Sequence, residues 1–183
     1  MEKYLIFLDV DGVLNAWDKE LMLSDDHVWF DGEVGAEGEG GLLGMLKSRV
    51  NNFKYLYNEL SKHFDVDIVV CSSWRINMNE FCRVLKQAGY VHDKEYDITS
   101  TRHAFRHLEI IDYLDSPRSI NKIGNYRTSN RYVIIDDDVH FDETKHDLPK
   151  SRLITPSVFK GGLTIELVEN FLKQEKEIHQ WEK

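Results

Sequence analysis

Short runs of consecutive apolar residues, each ended by polar residues, constrain the fold of this 183-residue chain most strongly. Such runs are Tyr4–Leu8 and Tyr132–Ile135, Val66–Cys71 is one that only Asp67 interrupts, and Leu153–Ile154 is a shorter one. A strand that is buried on both faces of a sheet has this pattern, whereas a strand with one wet face alternates apolar and polar residues. The runs therefore predict strands inside a covered sheet.

Segments with helical spacing separate these strands. From Leu43 to Phe64, apolar residues recur every three or four positions, which predicts one long amphipathic helix. Further helices are predicted over residues 81–88 with Gly89 as the C-cap, over residues 110–114 before Pro117, and after Thr164 as an N-cap.

Strands that alternate with helices form a parallel sheet with helices on both faces. We therefore predict a three-layer α/β, Rossmann-like fold and a single domain over residues 1–183. The formal net charge of −9 argues against a partner that is bound by broad neutralisation of phosphates.

Neither an export signal nor a membrane span is apparent in the sequence. The first apolar run is too short for a signal sequence, and no run has the length of a membrane-spanning helix. Cys71 and Cys82 are both interpreted as buried thiols rather than as a disulfide. We expect a cytoplasmic protein.

Polar residues follow three of the predicted strands. They are Asp9 and Asp11; Ser72, Ser73, Trp74 and Arg75; and Asp136, Asp137 and Asp138. Because ligands bind beyond the carboxyl ends of parallel strands, we expect these groups to converge in space.

The residue types at this edge point to phosphate chemistry. Clustered carboxylates repel one another unless a cation lies among them, and Mg²⁺ suits such a site because it needs few protein ligands. The Ser72 hydroxyl and the backbone N–H groups of a following helix would bind an anion. A cation, an anion site and a carboxylate together indicate phosphoryl transfer.

These motifs resemble those of the haloacid dehalogenase (HAD) superfamily of phosphatases, over nearly the whole chain. Asp9-Val-Asp11-Gly-Val-Leu is similar to the first motif of that superfamily, Val69–Ser72 to its second and Ile134–Asp137 to its fourth. The Ser-Ser-Trp-Arg and Gly-Gly-Leu-Thr stretches are similar to small bacterial and phage members, some of them related to nucleic-acid end-repair phosphatases.

The resemblance implies a Mg²⁺-dependent phosphomonoester hydrolase. Asp9 would be the nucleophile that forms an aspartyl-phosphate, and Asp11 would be the general acid and then the general base. Asp136 and Asp137 would hold the metal together with the Asp9 carboxylate and the backbone carbonyl of Asp11. The candidate phosphate-binding residues are Ser72, Ser73, Arg75, Arg106 and Lys122.

Two of these assignments have alternatives. The cation of the third motif is Arg106, at the start of a predicted helix, or Lys122, which is closer to the third strand. Trp74 and Arg75 either clamp the substrate by stacking and forked hydrogen bonds, or they are a packing Trp and a solvated Arg.

Three other segments of the sequence have features of a functional site. An EF-hand beginning at Asp9 would need glycine where Leu14 stands, so it is rejected. His103 and His107 have the spacing of a zinc pair on a helix, but a surface pair fits better because no third ligand is near. The acidic, glycine-rich segment 31–41 is a substrate flap or a plain loop.

About thirty residues separate the first strand from the long helix, and about as few separate Trp74 from Arg106, which leaves room for only a minimal cap over the site. Among proteins that the chain resembles, open sites tend to act on larger substrates, so nucleic-acid ends and proteins are candidate substrates. Small nucleotides remain a further candidate.

The rival class of function is a binding module that accepts a phosphoryl group and keeps it. Asp11 favours the enzyme, since only hydrolysis needs a second acid two residues after the nucleophile.

Overall fold

The computed structural model describes residues 1–15, 24–29, 44–137 and 148–181. Within them, five parallel strands form the main sheet in the order β5-β4-β1-β6-β7. The strands are β1 (Lys3–Leu8), β4 (Asp65–Val70), β5 (Asp97–Ile98), β6 (Tyr132–Ile135) and β7 (Leu153–Ile154). The segment 31–41 and Asp138 lie outside the described residues.

The helices are α1 (Lys47–Ser61), α2 (Met78–Gln87), α3 (Arg106–Leu114), α4 (Pro117–Ile123) and α5 (Ile165–His179) among the described residues. A small antiparallel pair, β2 (His27–Trp29) and β3 (Gly44–Leu46), precedes α1. The expected start of the long helix at Leu43 is therefore wrong, because residues 44–46 pair with β2 before the helix begins at Lys47.

Both faces of the sheet are covered by helices. Alternate residues of β1 point to opposite faces, as in any strand. Tyr4, Ile6 and Leu8 pack with the apolar stripes of α1, α2 and α5, whereas Leu5 and Phe7 pack with α3 and α4. The predicted three-layer α/β fold with a parallel sheet is confirmed.

One predicted helix cap is confirmed, whereas the C-cap of α2 is Ala88 and the predicted Gly89 lies one position beyond it. The hydroxyl of Thr164 accepts a hydrogen bond from the backbone N–H of Leu167 at 3.4 Å, which caps α5. Gly89 follows α2 with φ of +102°, a conformation that glycine adopts without strain.

The interpretation of Cys82 as a buried thiol is wrong. Cys71 is buried, but Cys82 is exposed. The buried residues of α2 are Phe81, Val84 and Leu85, and the position after Phe81 falls outside that stripe on a helix of 3.6 residues per turn. No helix of the described residues has both the length and the apolarity needed to cross a membrane.

The strand register sets up the site. Leu8, the last residue of β1, pairs with Val70 of β4 on one side and Ile135 of β6 on the other. The residues that follow these three strands therefore leave the sheet side by side at its carboxyl edge.

Candidate active site

Three carboxylates meet at the carboxyl edge of the sheet. Asp9 follows β1, and Asp136 and Asp137 follow β6, which is its neighbour. One oxygen from each lies within 4.8 Å of the others. Asp9 and Asp136 are both 2% exposed, so their charges are held mostly out of water.

Gly12 allows the loop after β1 to pass close to this cluster. Its φ is +76°, which glycine adopts without strain. A Cβ at this position would lie 2.0 Å from Oδ2 of Asp137. The Asp-x-Asp-Gly sequence thus serves two purposes, because it supplies carboxylates and lets the two strand-end loops touch.

Arg106, the first residue of α3, brings a positive charge to the cluster. Its Nη1 forms an ion pair with Oδ1 of Asp9 and lies 3.2 Å from Oδ2 of Asp136. Burial raises the pKa of Asp9, and the Arg106 charge opposes that rise. Burial acts to lower the pKa of Arg106, but the charges of Asp9 and Asp136 outweigh it and the pKa is raised.

The chemistry of the donor set fits a hard divalent cation. All three clustered groups are carboxylates, which are the ligands that Mg²⁺ and Ca²⁺ prefer. Two carboxylate charges about 4 Å apart repel each other by roughly 4 kcal/mol at an effective dielectric constant of about 20. With one arginine facing three carboxylates, Asp9, Asp136 and Asp137 could hold such an ion.

Asp11 is positioned by three side chains. Its Oδ1 accepts hydrogen bonds from Nδ2 of Asn15 at 2.9 Å and from Nε1 of Trp74 at 3.2 Å. Its Oδ2 accepts a hydrogen bond from the hydroxyl of Ser73 at 3.2 Å. Asn15 also accepts a hydrogen bond from the backbone N–H of Gly12 at 2.7 Å, so the loop and the carboxylate are fixed together.

Two alternatives were open for Trp74 and Arg75, a substrate clamp or a packing Trp beside a solvated Arg, and the structure bears on them differently for each residue. Trp74 is buried, as the packing interpretation predicts, and it contributes the hydrogen bond to Asp11 as well. The interpretation of Arg75 as a solvated residue is wrong, since its side chain is 10% exposed and forms an ion pair with Glu109 at 2.8 Å. The hydroxyl of Thr99 lies 3.5 Å from the other carboxylate oxygen of Glu109.

The remaining candidate phosphate-binding residues lie in different places. Ser72 is buried, and its hydroxyl accepts a hydrogen bond from the backbone N–H of Trp74 at 3.4 Å. Lys122 points away from the cluster and forms ion pairs with Asp67 at 2.8 Å and Asp97 at 3.8 Å, both on strands of the sheet. Of the two candidates for the third motif, the structure brings only Arg106 to Asp9.

A cavity of about 350 Å³ opens above the carboxylates. Its wall includes Asp9, Ser73, Arg75, His103, Phe105 and Arg106. His103 forms an ion pair with Asp112, and the ring of His107 stacks on Phe105. The two histidines are not part of a metal-ligand group within the described residues, where Asp9, Asp136 and Asp137 form the group that qualifies.

Three residues of this site were not predicted from the sequence. Asn15, Glu109 and Phe105 contact or flank predicted residues without belonging to a strand-end motif. A weak signal exists for Glu109, because it lies three positions after Arg106 and so shares its helix face.

Comparison with known proteins gives one match. Residues 5–168 match the family model described as the HAD domain in Swiss Army Knife RNA repair proteins. The comparisons found no matching curated protein and no matching solved structure. The matched residues include every strand of the main sheet from Leu5 onward and all of the carboxylates described above.

Proposed function

This chain belongs to the HAD superfamily, in the family of HAD domains of Swiss Army Knife RNA repair proteins, and we propose that it is a Mg²⁺-dependent phosphomonoester hydrolase acting on RNA ends. The observation that carries the proposal is the buried Asp9 carboxylate, paired with Arg106 and flanked by Asp136 and Asp137. The proposed nucleophile, a positive charge and the proposed metal ligands thus lie together at the carboxyl edge of the sheet.

In the first step, a carboxylate oxygen of Asp9 attacks phosphorus and the bond from phosphorus to the ester oxygen breaks. Asp11 gives its proton to the departing oxygen, and an aspartyl-phosphate remains on Asp9. In the second step, Asp11 takes a proton from water while the water oxygen attacks phosphorus. The bond from phosphorus to Asp9 then breaks, and inorganic phosphate and the free carboxylate are released.

Arg106 balances the negative charge that gathers during both steps. Its guanidinium already faces Asp9 and Asp136, so this positive charge is in place before the phosphoryl group arrives. Mg²⁺, when bound by Asp9, Asp136 and Asp137, would neutralise the oxygens of the transferred group. Ser73 and Arg75 line the same cavity and are proposed to bind the phosphate oxygens.

RNA ends are the proposed substrate class for two reasons. The matching family is described by its occurrence in RNA repair proteins. The net charge of −9 also favours recognition of one terminal phosphate in a local pocket over binding along a nucleic-acid backbone. The single domain and the cytoplasmic location expected from the sequence remain predictions.

A phosphoryl-holding module is the rival function. It would share the Asp9 cluster but would not need Asp11 to activate water. The three hydrogen bonds that Asp11 accepts from Asn15, Ser73 and Trp74 fix a second carboxylate beside the cluster, which supports a hydrolase.

A substrate panel tests the proposal. Phosphate release should be measured with Mg²⁺ on RNA oligonucleotides that carry a 5′ or 3′ phosphate, on phosphopeptides and on small phosphate esters. We expect turnover on an RNA end, no turnover in a chelator, and inhibition by Ca²⁺, which draws extra oxygens such as the second oxygen of Asp9 into its larger shell.

Asp9→Asn is the control for contaminating activity, because an amide cannot form the acyl phosphate. Full turnover in the chelator would remove the metal from the proposal. Turnover on phosphopeptides but on neither RNA end would replace the substrate class and leave the chemistry in place.

A further inference from the structure

Phe105 is an exposed aromatic residue at the candidate active site. It directly precedes α3, with extended backbone angles of φ −121° and ψ 130°. The residue lines the cavity that contains Asp9 and Arg106, yet it is 62% exposed. A large apolar ring that is exposed beside a charged cavity is available to a ligand that enters the cavity.

The ring of Phe105 is backed by a second ring. His107 stacks on it with a centroid distance of 5.7 Å and an angle of 20° between the planes. This stacking restricts the tilt of the Phe105 ring. A flat apolar surface of restricted orientation therefore borders the polar cavity, and a planar group could lie against it.

The position of Arg106 relates the Phe105 ring to the proposed reaction centre. Phe105 and Arg106 are adjacent in sequence, and Arg106 contacts the proposed nucleophile Asp9. A phosphate bound at Asp9 would lie beside Arg106, and Phe105 is the residue next to Arg106 in the sequence. In a terminal nucleotide, one sugar joins the phosphate to the base. A charged pocket with an aromatic residue at its rim matches this layout of phosphate and base.

We propose that Phe105 stacks against the base of the terminal nucleotide of a single-stranded RNA end whose phosphate enters the cavity. The inference rests on the proposed function and extends it by assigning a base-binding subsite. Stacking on an aromatic side chain tolerates every base, because each base has a flat π face. The subsite would therefore select nucleotide ends over other phosphate esters without selecting a sequence.

The test compares Phe105→Ala with the wild type on three substrates. These are an RNA oligonucleotide with a terminal phosphate, the same oligonucleotide with an abasic terminal residue, and glycerol phosphate, which has no ring. The loss of kcat/KM on the RNA should exceed the loss on glycerol phosphate by about 5- to 150-fold, the range for one stacked base. The abasic end should show no such excess, and Phe105→Trp should restore most of the loss.

Phe159→Ala is the matched control, since Phe159 is 91% exposed and lies in the turn Val158–Lys160, outside the cavity wall. It should leave all three rates within about twofold of the wild type, since isolated surface substitutions have small effects.

The possible failures can be told apart. Equal losses of Phe105→Ala on all three substrates, with the RNA hydrolysed by the wild type, would overturn the stacking role and leave the proposed function standing. Hydrolysis of glycerol phosphate without hydrolysis of either RNA end would overturn the substrate class and the inference with it. A phosphopeptide should be assayed beside these three substrates, and a loss by Phe105→Ala that is selective for the phosphopeptide would overturn the inference and assign the ring to a protein substrate.

Discussion

Asp11 is held by donors from two separate parts of the chain. Asn15 lies four residues after it, whereas Ser73 and Trp74 follow β4, more than sixty residues away. A general acid and base must point at one reacting oxygen, and each donor restricts the angles it can take. Trp74, although buried, is therefore interpreted as a positioning residue and not only as part of the core.

Trp74→Phe should reduce kcat by about tenfold while keeping most of the packing. The change removes one hydrogen bond to a carboxylate, which is worth roughly 1.5 kcal/mol or more. The same change made in an Asp11→Ala background should have almost no further effect, because the hydrogen-bond acceptor is then absent. An equal loss in both backgrounds, measured as phosphate release, would show that Trp74 acts through packing alone.

At the scale of the elements, a buried ion pair links α5 to the edge of the sheet. Arg152 precedes β7 and lies 2.6 Å from Glu175 of α5, and both side chains are fully buried. The hydroxyl of Tyr4, on β1, donates a hydrogen bond to Glu175 at 2.7 Å. Buried charges of this kind depend on one another, since each would be costly without its partner.

Arg152→Met should lower the free energy of unfolding by about 3–5 kcal/mol, because it leaves the Glu175 charge buried without its partner. The double variant Arg152→Met/Glu175→Leu should recover much of that loss. Lys62→Met serves as the control, since it removes an ion pair to Glu59 in which the lysine side chain is 59% exposed, and it should cost less than about 1 kcal/mol. The free energy of unfolding should be measured in urea for the wild type and the three variants. A loss for Arg152→Met that is no larger than the loss for Lys62→Met would contradict this account.

The elements that the sequence predicted well are those with a strong pattern. β1, β4 and β6 are mostly apolar because both faces of the sheet are covered, and their charged residues, Lys3, Asp65 and Asp67, lie in the first half of β1 and β4. β5 has two residues and β3 has three, too few to show a period. Pro117 was interpreted as a stop to α3, yet it also begins α4, since proline is favoured in the first turn of a helix.

The candidate site was predictable only in part for a related reason. The chain order of strand ends placed Asp9 beside Asp136 because parallel strands share one edge. The pairing of Arg75 with Glu109 joins residues 34 positions apart, and no local pattern encodes it. The choice between Arg106 and Lys122 likewise needed the fold, since both are cations near the ends of helices.

At the scale of the whole molecule, the charge is distributed in a way that suits a local phosphate site. The chain has 32 acidic residues against 23 Lys and Arg, so its net charge repels a polyanion. Arg106 and Arg75 place positive charge at the cavity. Under the proposed function, this balance of charge favours the capture of one terminal phosphate over binding along a nucleic-acid strand.

The central claim is that Asp9 carries the phosphoryl group, and trapping with borohydride tests it most directly. Asp11→Asn should be incubated with Mg²⁺ and p-nitrophenyl phosphate, whose leaving group departs without an acid. The second step should then be slowed by about a hundred- to ten-thousand-fold, so the aspartyl-phosphate accumulates. Borohydride reduces an acyl phosphate to an alcohol, and mass spectrometry should find Asp9 converted to homoserine, with no conversion in Asp9→Asn/Asp11→Asn. Phosphate release by the wild type without any reduced residue at position 9 of the Asp11→Asn protein would contradict the claim.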